Sequence, residues 1–196
     1  GRSNRRVGEN SPALRSVRGS DRIPGDGTSE GSILAMARRH EIRTIDLSDS
    51  ESCLIGALSD THSRPHPNLF PLLEQRRPSL ILHTGDVGDF DLIEELETVC
   101  QVVFVRGNVD PSGRMWPDSM TLHVKVGNTF RVDLLLLHFA LVQLRLNKDA
   151  VNLLRQHPAQ IVVFGHSHIP FLGADRNVHL FNPGSAGPSR MGLPTT

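Results

Sequence analysis

The sequence has no tyrosine and a single tryptophan, and aromatic residues fill only 5% of its 196 positions. So few aromatic platforms leave little for successive bases to stack on, which argues against a single-stranded nucleic-acid track. Neither sign of charge is in excess, since Lys+Arg and Asp+Glu number 21 each. A balanced chain exerts no general pull on a polyanion or an acidic membrane surface, so neither nucleic acid nor membrane is an expected partner. Long apolar runs are missing as well. The run from Val132 to Leu137 is broken by Asp133 and falls far short of the roughly 20 residues that a membrane-spanning helix needs. The N-terminus carries no apolar stretch of the secretory kind. Cysteine occurs only at Cys53 and Cys100. Two buried free thiols in a reducing compartment is the plainest reading of them, and it places the chain in the cytoplasm.

Histidine is the residue that is plentiful, with ten copies, and it turns attention to metal or acid–base chemistry. The chain also changes texture along its length. Residues 1–50 are rich in Gly, Ser, Arg and Asp and show little apolar periodicity. Such a segment buries too little to offset the entropy of ordering it, so it reads as a disordered N-terminal extension, with one or two helical turns over Ser32 to His40. From Cys53 onward, short apolar runs alternate with polar stretches of helical spacing: CLIGALS, SLILHTG, QVVFVRG, FRVDLLLLH and QIVVFGH. These are buried strands, and the helices between the first three (Asn68 to Arg76 and Phe90 to Val99) argue for βαβ units. Gly127-Asn128 and Asp175-Arg176-Asn177 mark two hairpins, and Asp149 to His157 has helical spacing.

Polar residues recur at the ends of these strands. Asp60 and His62 follow the first, Asp86 the second and Asn108 the third. His138 ends LLLLH, His166 and His168 follow the last long strand, and Asn182 opens NPGS. Ligands in open α/β sheets bind beyond the carboxyl ends of strands. The i, i+2 spacing of Asp60/His62 and of His166/His168 puts each pair on one side of an extended segment. Oxygen and imidazole donors without thiolate suit Mn²⁺, Fe, Ni²⁺ or Zn²⁺, and a carboxylate such as Asp86 is able to bridge two cations that clamp an in-line displacement. His40, His66, His123, His157 and His179 stand outside this pattern and read as ordinary surface or core residues.

The ordered set D-x-H, GD, GN-x-D, H, GH-x-H, NPGS resembles the calcineurin-like metallophosphoesterase superfamily. Within it, the small single-domain bacterial and archaeal phosphodiesterases are most similar, and the retromer small subunit shares their fold. The resemblance covers residues 53–196 and implies an α/β fold, a four-layer αββα sandwich of two mixed sheets flanked by helices. Relatives continue past NPGS with one or two closing strands, so a chain that stops at Thr196 is expected to lack the last strands and to leave a sheet edge unpaired.

The same resemblance implies two divalent metal ions, Mn²⁺ first and Ni²⁺, Fe²⁺ or Zn²⁺ as alternatives. Asp60, His62 and His168 would bind one and Asn108, His138 and His166 the other, with Asp86 bridging and a bridging hydroxide as nucleophile. Asp86, Asn108 and His138 are the catalytic residues of that scheme. His83, Asp110 and Asn182 would orient ligands, and Arg106 and Phe139 are the candidate substrate contacts. Many relatives have a histidine directly after the motif asparagine to protonate the leaving group. Here that residue is Val109, which favours leaving groups of low pKa.

The expected activity is therefore hydrolysis of a small phosphoester, most simply a phosphodiester. A metal-binding scaffold of the retromer-subunit type and a nuclease are the alternatives. Intact ligands count against the first, and balanced charge counts against the second.

Overall fold

A computed structural model describes residues 39–49, 51–112 and 116–188. All of them belong to one unit of the chain, Ala37–Thr196. Most of the expected N-terminal extension, including nearly all of the Ser32–His40 segment, lies outside the described residues.

The smaller sheet and its helices come from β2 (Ile55–Leu58), α1 (Leu69–Arg76), β3 (Leu80–His83), α2 (Asp91–Glu97) and β4 (Gln101–Phe104). The three strands pair in the order β2-β3-β4, all parallel, because each crossover runs through a helix. Every residue of β3 is buried, which is why LILH reads as an unbroken apolar run with no alternation. Helix α1 turns Leu69 and Leu73 inward, one turn apart, and ends at Arg77, which takes a left-handed φ of 49° just before Pro78.

A longer hairpin follows, β5 (Ser119–Val126) and β6 (Phe130–Leu137). Its loop is three residues, Gly127 to Thr129, one more than the Gly127-Asn128 turn expected. Next come a short hairpin, β7 (Leu141–Val142) and β8 (Arg145–Leu146), then α3 (Lys148–Gln156) and β9 (Ile161–Val163). Asn147 caps α3 by accepting a hydrogen bond from the Ala150 N–H at 2.8 Å. The last described strands are β10 (Phe171–Asp175) and β11 (Val178–Asn182), joined through Arg176 and Asn177, both at positive φ.

The first strand, β1 (His40–Leu47), joins β5, β6, β9, β10 and β11 in a six-stranded sheet of order β1-β5-β6-β9-β11-β10, in which β6, β9 and β11 run parallel. One core cluster (Leu80, Leu82, Val103, Met120, Leu122, Leu136 and neighbours) fills the space between this sheet and the three-stranded one. A second cluster seats α1 and α2 on the outer face of the small sheet, and a third seats α3 on the outer face of the large one. The result is four layers, helices–sheet–sheet–helix. Among the described residues, the larger of these two sheets is mixed and the smaller is all parallel. The expectation of two mixed sheets is corrected on that point.

A second correction concerns residues 40–47, which were expected to be disordered. They form β1 (His40–Leu47), paired parallel with β5 over eight register positions. Ile45 drops into the core between the sheets while most of the strand stays exposed or half-exposed. An edge strand needs only that much apolar content, because its neighbour supplies the ladder. Cys53 and Cys100 are both free, but they are half-buried rather than buried. Among the described residues β2 and β4 are the edge strands of the small sheet, and no helix is long and apolar enough to cross a membrane.

Candidate metal centre

Parallel pairing within each sheet brings the carboxyl ends of β2, β3 and β4, and those of β6, β9 and β11, to one edge of the sandwich. The connecting loops are laced together there. Asp60 N–H donates to Gly85 O at 3.0 Å, His62 N–H to Asp86 O at 2.9 Å, and Gly165 N–H to His138 O at 3.0 Å. The backbone at these ends is not extended. Asp60, His62, Asp86, His166 and His168 take φ values of 56°, 49°, 53°, 72° and 59°. The two i, i+2 pairs thus face one centre through left-handed turns, which corrects the expected extended geometry. Such turns are uncommon for residues other than glycine, yet Asp, Asn and His adopt them most readily.

The side chains converge. One donor atom each from Asp60, His62 and His168 lie within 4.8 Å of one another, and the same holds for Asp60, Asp86 and His138. Asp60 Oδ1 is 3.3 Å from His168 Nε2 and 3.9 Å from His138 Nε2. Asp86 Oδ2 is 3.7 Å from His62 Nε2 and 3.4 Å from His138 Nε2. Both carboxylates therefore reach across the cluster. His166 Nδ1 lies 3.1 Å from Asn108 Oδ1, and its ring stands edge-on to that of His138 with centroids 5.2 Å apart.

No hydrogen bond reaches Asp60 Oδ1 or His138 Nε2, although both atoms are buried. His138 Nδ1 lies 2.8 Å from Thr84 O. Donation of Nδ1–H to that carbonyl sets the tautomer and leaves the Nε2 lone pair facing the cluster. Burial pushes the Asp86 carboxyl up, but the neighbouring His138 and the Val109 N–H outweigh it and hold it at about 2. Burial pushes His138 down, and the Asp86 and Asp60 carboxylates more than reverse this, so its net shift is upward. Burial and the adjacent His138 lower His166. At neutral pH Asp86 is a carboxylate among imidazoles, a donor set of the kind a divalent cation takes.

The residues expected to support the ligands lie around them. Asp110 accepts from the backbone N–H groups of Gly107 at 2.8 Å, Gly88 at 2.8 Å and Val87 at 3.2 Å, which ties the loops after β3 and β4 together. Asn182 donates to Gly165 O at 2.9 Å and to Ser167 Oγ at 3.1 Å, bracing the turn that carries His166 and His168. Sequence reasoning missed Ser59, Gly107 and Gly165. A Cβ at Gly165 would run into Ser59 Oγ, and one at Gly107 into the Asp86 carboxylate. Small residues beside each motif were the available signal.

His83 is fully buried and contacts Thr61, which lies in the chain between the candidate ligands Asp60 and His62. Its Nδ1 accepts from Gly85 N–H at 3.3 Å, and its Nε2 lies 2.9 Å from Thr61 Oγ1, which in turn donates to Val87 O. That network needs the neutral ring. Burial, helped by His138, lowers its pKa to about 3. The unfolded ring titrates near 6.5, so between about 3 and 6.5 the unfolded state binds the extra proton. His83 thus adds stability above that window and loses it on acidification, at roughly 1.4 kcal/mol per pH unit. Denaturation between pH 7 and 4 is expected to show this slope in the wild type and a shallower one in His83→Gln. Parallel profiles would refute the assignment.

Two cavities adjoin the centre. One, of about 550 Å³, includes Arg106, Asn108, His138, Phe139 and His166 in its wall. The other, of about 280 Å³, shares Phe139 and His166 and is otherwise mainly apolar. Phe139 packs edge-on against His166, centroids 4.8 Å apart, and forms the ridge between them. Arg106 faces the larger cavity with its guanidinium committed to Asp118 Oδ1 at 2.6 and 2.9 Å. His40, set aside on sequence grounds, also lines the larger cavity and stacks on His157. His66 and His123 bond elsewhere, to Asn68 N–H and Asp133.

The model of the calcineurin-like phosphoesterase superfamily domain matches residues 54–196. A probable metallophosphoesterase of Methanocaldococcus jannaschii is 30% identical over 137 residues, 67% of either chain. Another, of Methanothermobacter thermautotrophicus, is 32% identical over 146 residues, 72% of this chain and 82% of that one. Among solved structures, wild-type Vps29 of Entamoeba histolytica complexed with Zn²⁺ superposes with a TM-score of 0.52 at 25% identity, over 67% of this chain and 73% of that one.

Proposed function

The chain belongs to the calcineurin-like phosphoesterase superfamily, and from that premise we propose that it hydrolyses small phosphodiesters with two divalent cations held at the strand ends. The supporting observation is that Asp60 Oδ1 and His138 Nε2, two of the buried polar atoms that no hydrogen bond reaches, lie 3.9 Å apart in one cluster. A buried polar atom left unpaired costs about 1–3 kcal/mol, and coordination satisfies both atoms at once. The donors fit the group. Asp60, His62 and His168 would hold one ion and Asn108, His138 and His166 the other, with Asp86 within reach of both sets.

When bound, such cations lower the pKa of a water to about 7 and polarise a phosphoryl oxygen. The chain's own residues do the rest. Asp86, held at about 2, stays ionised throughout the working pH range. Thr84 O aims the His138 lone pair, and Asp110 keeps the loops bearing Asp86 and Asn108 in register. Val109 offers no proton to a departing oxygen, so diesters with acidic leaving groups are the preferred substrates.

The test is a chelated and reloaded preparation. Turnover of bis-(p-nitrophenyl) phosphate is expected to vanish on chelation and return with Mn²⁺, alongside two bound Mn²⁺ per chain. No turnover with any of Mn²⁺, Ni²⁺, Fe²⁺ or Zn²⁺ overturns the proposal. The fold likeness to Vps29 favours one other reading, a metal-binding scaffold, and metal uptake without turnover is the outcome that would select it.

A further inference from the structure

The two cavities beside the centre differ in chemistry. The larger is walled by Asn152 and Gln156, exposed on successive turns of one face of α3, with Asp118, Ser119 and His40 opposite. His40 comes from β1, which precedes the stretch matched by the family model. Its ring nitrogens lie 2.8 Å from Ser119 Oγ and 3.2 Å from Thr121 Oγ1. Side-chain amides both donate and accept, so this wall matches an occupant rich in hydrogen-bonding groups. The smaller cavity is walled by Leu141, Leu144, Phe164, Ile169 and Phe171. Leu144 is held at a φ of 61° and is largely exposed. A leucine in the left-handed region is disfavoured where asparagine or glycine would fit, so its apolar side chain is kept against local conformational preference. Both cavities meet at Phe139 and His166, beside the residues that would hold the cations.

A phosphodiester carries two organic arms on one phosphorus, and two cavities meeting at one centre answer to that form. Resting on the phosphodiesterase reading above, we propose that the substrate is an asymmetric diester. Its sugar-like arm, rich in hydrogen-bonding groups, lies against Asn152 and Gln156, and its aryl or alkyl arm lies against Leu144. The larger cavity falls within the roughly 300–1,000 Å³ of small-molecule sites, and the smaller lies just below that range.

Two chromogenic diesters that share a p-nitrophenyl arm test this on the Mn²⁺-loaded protein: thymidine 5′-(p-nitrophenyl) phosphate and methyl p-nitrophenyl phosphate. The wild type is expected to show a KM about tenfold lower for the thymidine ester, the worth of one or two hydrogen bonds. Asn152→Leu combined with Gln156→Leu should erase that advantage and leave the methyl ester within about twofold. Leu144→Asn, which suits its backbone, should raise KM severalfold for both esters. Equal KM values for the two esters in the wild type, or a double variant that shifts both equally, overturn the proposal. Thymidine binding to the metal-free protein, followed by NMR, supplies a readout independent of hydrolysis. Binding that is lost in the α3 double variant, with neither ester hydrolysed, would keep the cavity assignment and defeat the phosphodiesterase reading. Hydrolysis of both esters with no thymidine binding and no KM difference would do the reverse.

Discussion

Asp86→Ala is expected to lower turnover of bis-(p-nitrophenyl) phosphate by on the order of a thousandfold, since on the proposed reading Asp86 would contact both cations and supply several kcal/mol of charge stabilisation. Asp86 has two separable duties. Its Oδ2 stands between His62 and His138, and its Oδ1 accepts the Val109 N–H at 3.1 Å and so steadies the loop that presents Asn108. Alanine removes both. Asp86→Asn keeps the acceptor and the volume but removes the charge. If the charge is what matters, Asp86→Asn should melt close to the wild type and still lose nearly all turnover. Initial rates with saturating Mn²⁺, taken with thermal melts of both variants, settle this. An Asp86→Ala protein within tenfold of wild-type activity would refute the role.

Gly107→Ala is expected to impair the protein almost as severely, though Gly107 itself supplies no donor side chain. A Cβ there would overlap the amide nitrogen and the carboxylate of Asp86. The amide nitrogen cannot swing away as a long side chain would, so the loops after β3 and β4 must separate. Overpacking of this kind costs about 1–3 kcal/mol, and a displacement near 1 Å at a reacting centre costs about a hundredfold in rate. Gly56→Ala is the matched control, because a Cβ at that position meets Ile81 Cγ1 at an ordinary 3.6 Å. Urea melts and rates for the two variants should diverge, and equal behaviour would show that the tight fit at Gly107 is not what holds Asp86.

Much of this architecture was legible before the structure. Buried parallel strands read as apolar runs because neither face meets water, and that pattern marked β2, β3, β4 and β9. The donor cluster of Asp60, His62, Asp86, His138 and His168 was legible because polar residues have few other reasons to end such runs. What escaped has physical causes. Strand β1 buries only Ile45 fully, since an edge strand borrows its hydrogen bonds from β5, and sparse apolar content reads as disorder. Strands β7 and β8 are two residues each, too short for any period to register. The reach of Asp60 toward both His168 and His138 is a matter of side-chain placement in space, which spacing along the chain does not encode. The local shape of the Asp60 and His166 turns was misjudged for a related reason. The i, i+2 rule presumes extended backbone, and the lacing between loops imposes another conformation.

The left-handed backbone at five of the candidate ligand positions has a consequence for what the sequence is permitted to be. Among side chains with a Cβ, this conformation is tolerated best by Asp, Asn and His. Those are also the side chains that supply carboxylate, amide and imidazole donors to a hard or borderline cation. Two independent filters, one conformational and one chemical, therefore pass nearly the same few letters. Glutamate would satisfy the chemistry but not the turn, and glycine the turn but not the chemistry. The narrow alphabet of the motif follows from their overlap.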